Sequence, residues 1–148
     1  MILKLWGIVF KMKNSNELAG KILRISLSLV FFWFGTNQIL HPTNWTSLIP
    51  SFINNLGISS NLMVTLNGTM ELALGALLIL GLYTKFASLL LGLHLLGIAS
   101  IFGLNSPTGV RDFGLALATL SIFFIDSDSW SFDYWFSKKE MIKSHEDF

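Results

Sequence analysis

An all-α integral membrane protein, a four-helix bundle, is the fold class this sequence predicts, on three observations. Hydrophobic residues make up 52% of the 148-residue chain and charged residues only 13%, against about 25% charged in soluble domains. Four apolar stretches approach the roughly 20 residues needed to cross a hydrocarbon core as a helix. Basic residues gather on alternate connections between those stretches, which is the pattern of a chain that crosses a bilayer repeatedly.

Taken in order, residues 1–19 form a cytoplasmic or interfacial segment. Its apolar start is short and lacks a small-residue cleavage site before Lys11 and Lys13, so it does not read as a signal peptide. Leu5, Trp6, Val9 and Phe10 are expected among lipid headgroups. The transmembrane domain, 20–126, has spans at about 20–40, 62–83, 86–104 and 110–125. Tyr83, Thr84 and Lys85 leave room only for a tight antiparallel hairpin between the second and third spans. Asn105-Ser106-Pro107-Thr108-Gly109 breaks the helix between the third and fourth. The long connection 41–61 holds no lysine or arginine and too few apolar residues to span; it is expected to lie partly helical at the membrane surface or over the bundle. Residues 127–148 form a tail with Trp130 and Trp135 as interface anchors.

Orientation follows lysine and arginine. Lys4, Lys11, Lys13, Lys21 and Arg24 precede or open the first span, Lys85 lies in the hairpin, and Lys138, Lys139 and Lys143 follow the fourth, whereas Arg111 stands alone on the opposite side. Both termini are therefore expected in the cytoplasm.

The absence of cysteine excludes thiol chemistry, covalent haem attachment and cysteine-ligated metal centres. His41, His94 and His145 are too dispersed for a bis-histidine haem, and no metal site is expected. A net charge of +1 provides no field for nucleic acid. Phosphate-binding and dinucleotide-binding loops are missing as motifs.

Glu71 is the residue that most needs an explanation. It lies about nine residues into the second span, and a charged side chain at mid-membrane costs roughly 2.5–3.5 kcal/mol to insert. Asn67, one turn earlier, and Gly75, one turn later, share its face. His94 is its candidate partner. Counted from the hairpin turn, the two residues differ in depth by only about 4.5 Å at 1.5 Å per residue. Glu71 and His94 are thus candidates for proton handling, with Asn67 as a hydrogen-bonding companion; the alternative is a purely structural polar cluster that ties helices together. Trp33, Asn37 and Gln38 make a second candidate cluster at the outer end of the first span, for ligand contact or for interfacial anchoring. Arg111 and Asp112 open the fourth span, where end-capping accounts for them and a vestibule above Glu71 would recruit them. Gly114 and Ala118 form a small-x-x-x-small pair that fits contact within the bundle or with a second copy of the chain.

The segments RISLSLVFFWFG, MELALGALLILGLYTKFASLLLG and VRDFGLALATLSIFFIDSDSWSFD, in this order and spacing between Arg24 and Asp133, resemble the DoxX family of small four-helix membrane proteins. The resemblance carries over Arg24, Gly35, Glu71, Arg111 and Asp112; where many relatives have a basic residue shortly after the glycine, this chain has Asn37 and Gln38. It implies a prokaryotic cytoplasmic-membrane protein linked to redox systems, either handling a quinone or a similar lipid-soluble ligand, with no covalent cofactor, or serving as an accessory to a soluble or membrane redox partner. A non-enzymatic scaffold that recruits partners or self-associates, and a small proton-coupled transporter, are the two other functions the sequence leaves open.

Overall fold

The computed structural model describes the backbone of residues 2–55, 57–125 and 128–146 and the side chains of 16–53, 55, 57–125 and 128–142. Every regular element among them is helical. In chain order these are α1 (Ile2–Leu40), two 3-10 turns (Pro42–Asn44 and Thr46–Leu48), α2 (Ser51–Asn55), α3 (Ser60–Leu80), α4 (Thr84–Phe102), α5 (Pro107–Phe123) and α6 (Phe132–Glu146). The expected headgroup contacts of Leu5, Trp6, Val9 and Phe10, the side chains of Lys143 and His145, and the domain boundary at Asp126 and Ser127 lie outside the described residues.

Three helical stretches, Asn16–Leu40, Ser60–Leu80 and Thr84–Phe102, are long and apolar enough to cross a membrane. The first differs from expectation at its start. The helix is continuous from Ile2, because nothing around Gly20 breaks it; glycine lowers helix propensity by only about 1 kcal/mol, and proline, the stronger breaker, first occurs at Pro42. At 17 residues, α5 is the shortest of the packed helices. It begins at Pro107, three residues ahead of the expected Val110, with proline in the first turn and the Ser106 hydroxyl capping the Gly109 amide at 3.0 Å.

The helices associate as two pairs, α1 with α3 and α4 with α5, with much thinner contact between α3 and α4. Leu27, Phe31, Leu74, Leu78, Leu91 and Ala116 lie in the shared core. Glycines set the spacing of both pairs. A Cβ on Gly35 would stand 2.7 Å from the Gly68 carbonyl oxygen, and one on Gly68 would stand 2.8 Å from that of Gly35, so α1 and α3 cross backbone to backbone. A Cβ on Gly92 would meet Leu120 Cγ at 2.5 Å, which fixes α4 against α5. Gly114 has open space around it and makes no close contact within the bundle, whereas Ala118 packs against the core and Ala116 is fully buried.

Outside these seams the surface is apolar, with Ile22, Leu29, Leu66, Leu93, Ile101 and Leu117 all exposed. Hydroxyl groups turn inward on their own helices. Ser28, Thr65, Thr69, Ser100, Thr119 and Ser121 each donate to the carbonyl four residues earlier at 2.7–2.9 Å. Both features suit a lipid solvent, which solvates methyl groups and offers polar groups no partner.

One end of the bundle is closed by the hairpin between α3 and α4. Gly81 (φ 65°) ends α3 in the left-handed conformation, Leu82 N–H returns to the Leu77 carbonyl at 2.9 Å, and Tyr83 (φ 48°) starts α4. Asp133 then accepts from the amides of Tyr83 (2.9 Å) and Thr84 (2.8 Å), capping α4 from the distant tail. Arg24 is the second brace there. Counted above among the orienting cations, it is only 2% exposed. Its guanidinium donates to both carboxylate oxygens of Asp128 (2.9 and 3.2 Å) and to the final carbonyls of α3, including that of Ile79 at 2.8 Å. The Asp128–Asp133 stretch is therefore bolted to the helix ends, with Trp130 and Trp135 left exposed.

Candidate functional site

The opposite end of the bundle contains a cavity of about 370 Å³, within the 300–1,000 Å³ range of small-molecule sites. Its roof is the 42–53 segment, through Trp45, Ile49 and Phe52. This is the expected capping role of the long connection. Its walls are mostly apolar, and its polar groups are few: Gln38, Asn67, Glu71 and His94, with Thr108, Arg111 and Asp112 from α5.

Glu71 sits in the middle of the 21-residue α3 and is 3% exposed. Two amides hold its carboxyl. Gln38 Nε2 donates to Oε2 at 3.1 Å, and Asn67 Nδ2 donates to Oε1 at 3.0 Å. Asn67 Nδ2 also donates to Gln38 Oε1 at 2.7 Å, closing a triangle across the α1–α3 seam. The glycine crossing allows this arrangement: α1 and α3 run antiparallel, Gln38 Cβ packs at Gly68, 2.9 Å from where a Cβ would stand, and the Gln38 side chain reaches one turn along α3 to Glu71. Gly75, one turn nearer the hairpin, packs on Phe31 instead, with 3.2 Å from its would-be Cβ to the Phe31 Cβ.

His94 comes from the middle of α4 and is one-quarter exposed. Its Nε2 lies 3.8 Å from Glu71 Oε1, within ion-pair reach when the imidazole is charged but too long for a hydrogen bond. This Nε2 is buried and has no hydrogen-bond partner. The short hairpin keeps the two residues at matching depth, as the residue count from the turn implies.

Of the other expected residues, Arg111 and Asp112 reach the same cavity. Arg111 Nε donates to Asp112 Oδ1 at 2.7 Å, and its guanidinium lies 5.0 Å from the centre of the Phe34 ring. Asp112 is buried and Arg111 half exposed. Trp33 and Asn37 do not reach it. Trp33 is 59% exposed, and the Asn37 amide donates to the Trp33 carbonyl at 2.9 Å on the outer face of α1. The reason is helical phase: with about 100° per residue, Phe34 and Gln38 take the inward stripe and Trp33 and Asn37 fall one step outside it. Thus the expected second cluster divides, Gln38 joining Glu71 and the other two facing outward. Phe34, Trp45 and Gly68 are site-forming residues that the sequence reading missed; the repeated glycine-x-x-polar spacing at Gly35/Gln38 and Gly68/Glu71 was the available signal for the last.

A protein-family model, DoxX, matches residues 20–104. The chain belongs to the DoxX family. That match spans α3, α4 and α1 from Gly20 onward, and with them Gln38, Asn67, Glu71 and His94. It ends before Arg111 and Asp112. No curated protein and no solved structure matches the chain.

Proposed function

We propose that this DoxX-family membrane protein crosses the bilayer four times with both termini in the cytoplasm, and that its bundle holds a quinone, as a quinone-handling or accessory subunit of a membrane redox system. The topology is supported by α5 packing along α4 and by the lysines, which leave Arg111 alone at the cavity end. The cavity then opens in the outer half of the bilayer and its polar floor lies near mid-membrane.

One observation carries the ligand reading: a largely apolar cavity ends on an imidazole nitrogen that is buried and unpartnered. Buried polar atoms nearly always find partners, so an orphan facing a cavity is a place for a ligand atom. A quinone carbonyl fits the donor set, since it accepts hydrogen bonds and brings no charge into the hydrocarbon layer. When bound, a quinone supplies reversible two-electron, two-proton chemistry at its carbonyl oxygens. The chain's own part is local. His94 Nε2 holds a proton toward the ligand oxygen, the Glu71 carboxyl lies 3.8 Å from that same nitrogen, where it can take up or return its proton, and Gln38 and Asn67 fix the carboxyl's orientation. The aromatic roof and the Arg111–Phe34 contact keep bulk water out.

Titration of a short-tailed benzoquinone into protein in lipid nanodiscs tests this. Glu71→Gln and His94→Phe should each weaken binding about tenfold, the worth of one hydrogen bond of about 1.4 kcal/mol. Asn37→Ala, outside the cavity, should leave affinity unaltered. Equal affinity in all four proteins would remove the proposed role of the pair.

A further inference from the structure

Building on the quinone reading, we infer that the ligand enters sideways from the lipid through a slot between α3 and α4, with Gly97 at its lip, and that the slot selects amphiphiles with a long apolar tail. The slot follows from how the helices spend their packing faces. α3 is committed to α1 through the Gly35–Gly68 crossing, and α4 to α5 through Gly92 and Leu120. Although a tight turn joins α3 and α4, they make far less contact with each other than either makes with its partner. The space between them is the cavity.

Gly97 lies three residues beyond His94 on the same face of α4 and lines the cavity, and a Cβ built on it meets nothing within 4 Å. Leu93 and Ile101, which flank it by one turn on either side, also line the cavity while being 52% and 58% exposed. The cavity wall and the lipid-facing surface are therefore continuous at this point and wholly apolar. Elsewhere the cavity is bounded by the 42–53 segment, where Leu48 and Phe52 are themselves partly exposed, by Arg111 lying against Phe34 at the α5 side, and by the packed Leu74, Leu78 and Leu91 below. A slot lined by Leu93, Gly97 and Ile101 offers a polar solute no hydrogen bond but accommodates a hydrocarbon chain whose head group rests at Glu71 and His94. Gly97 is then a specificity-determining residue, since any larger side chain would occupy the tail's path.

The test compares two probes, a benzoquinone carrying a polyisoprenoid tail and the same head group without it, on wild-type protein, Gly97→Phe and Gly97→Ala in nanodiscs. Gly97→Phe should lose about tenfold or more in affinity for the tailed probe while the tailless probe changes less than about twofold, a steric discrimination of one probe against the other. Gly97→Ala, whose methyl has free space, should fold normally and give an intermediate loss. A photoreactive group on the tail should label Leu93, Ile101 or Met63. Tailed-probe affinity unchanged in Gly97→Phe, or labels confined to the α1–α5 side, would overturn the lateral slot and leave the head-group site standing. Failure of both probes to bind wild-type protein would overturn the quinone reading and the slot together.

Discussion

Arg24→Ala should destabilise the folded protein by about 3–5 kcal/mol, the range for removing one partner of a buried ion pair. The substitution strands the Asp128 carboxylate, which is 6% exposed, and removes donors from the carbonyls that end α3. Arg24→Lys should recover little, because a single ammonium cannot address both Asp128 oxygens and two helix-end carbonyls from one planar fork. The double variant Arg24→Met with Asp128→Leu should regain part of the loss, since no buried charge is then left unpaired. Denaturant titration of purified protein in mixed micelles reads all three. A loss below about 1 kcal/mol for Arg24→Ala would mean the brace is exposed to solvent and of surface value only.

Gly68→Val is expected to have a comparable effect for a different reason. The added Cβ would lie 2.8 Å from the Gly35 carbonyl oxygen and 2.9 Å from Gln38 Cβ, so α1 and α3 must move apart. Overpacking of this kind costs about 1–3 kcal/mol and sometimes more. Separation also breaks the 3.1 Å bond from Gln38 to Glu71, so quinone affinity should fall together with stability. Gly114→Ala provides the contrast. With open space at that position, it should be neutral or stabilising by about 0.5–1 kcal/mol from helix propensity alone. A Gly68→Val protein as stable as Gly114→Ala would contradict the backbone crossing.

The parts legible in the sequence were those governed by length and register. Apolar runs bounded by His41, by Tyr83-Thr84-Lys85 and by Asn105–Gly109 marked the helices, and the shortness of the hairpin allowed Glu71 and His94 to be placed at one depth by counting residues. Facing was less legible. In a soluble helix the polar residues mark the solvent side, but lipid tails are as apolar as a protein core, so nothing in F-W-F-G-T-N-Q favours Phe34 and Gln38 over Trp33 and Asn37 as the inward pair. The burial of Arg24 was hidden for a related reason. A cation near the end of a span normally belongs to the interface, and its carboxylate partner lies 104 residues away in sequence, where no local pattern connects them.

The central claim is that a ligand oxygen takes the hydrogen bond left open at His94 Nε2. Nitrogen-15 resonances of the histidine rings in protein held in nanodiscs report on it directly, with the His94 signals assigned by their loss in His94→Phe. Addition of saturating benzoquinone should shift the His94 Nε2 resonance and leave that of the exposed His41 unmoved. An unshifted His94 signal in protein that demonstrably binds the quinone would place the ligand elsewhere and reduce the Glu71 cluster to a structural tie between helices.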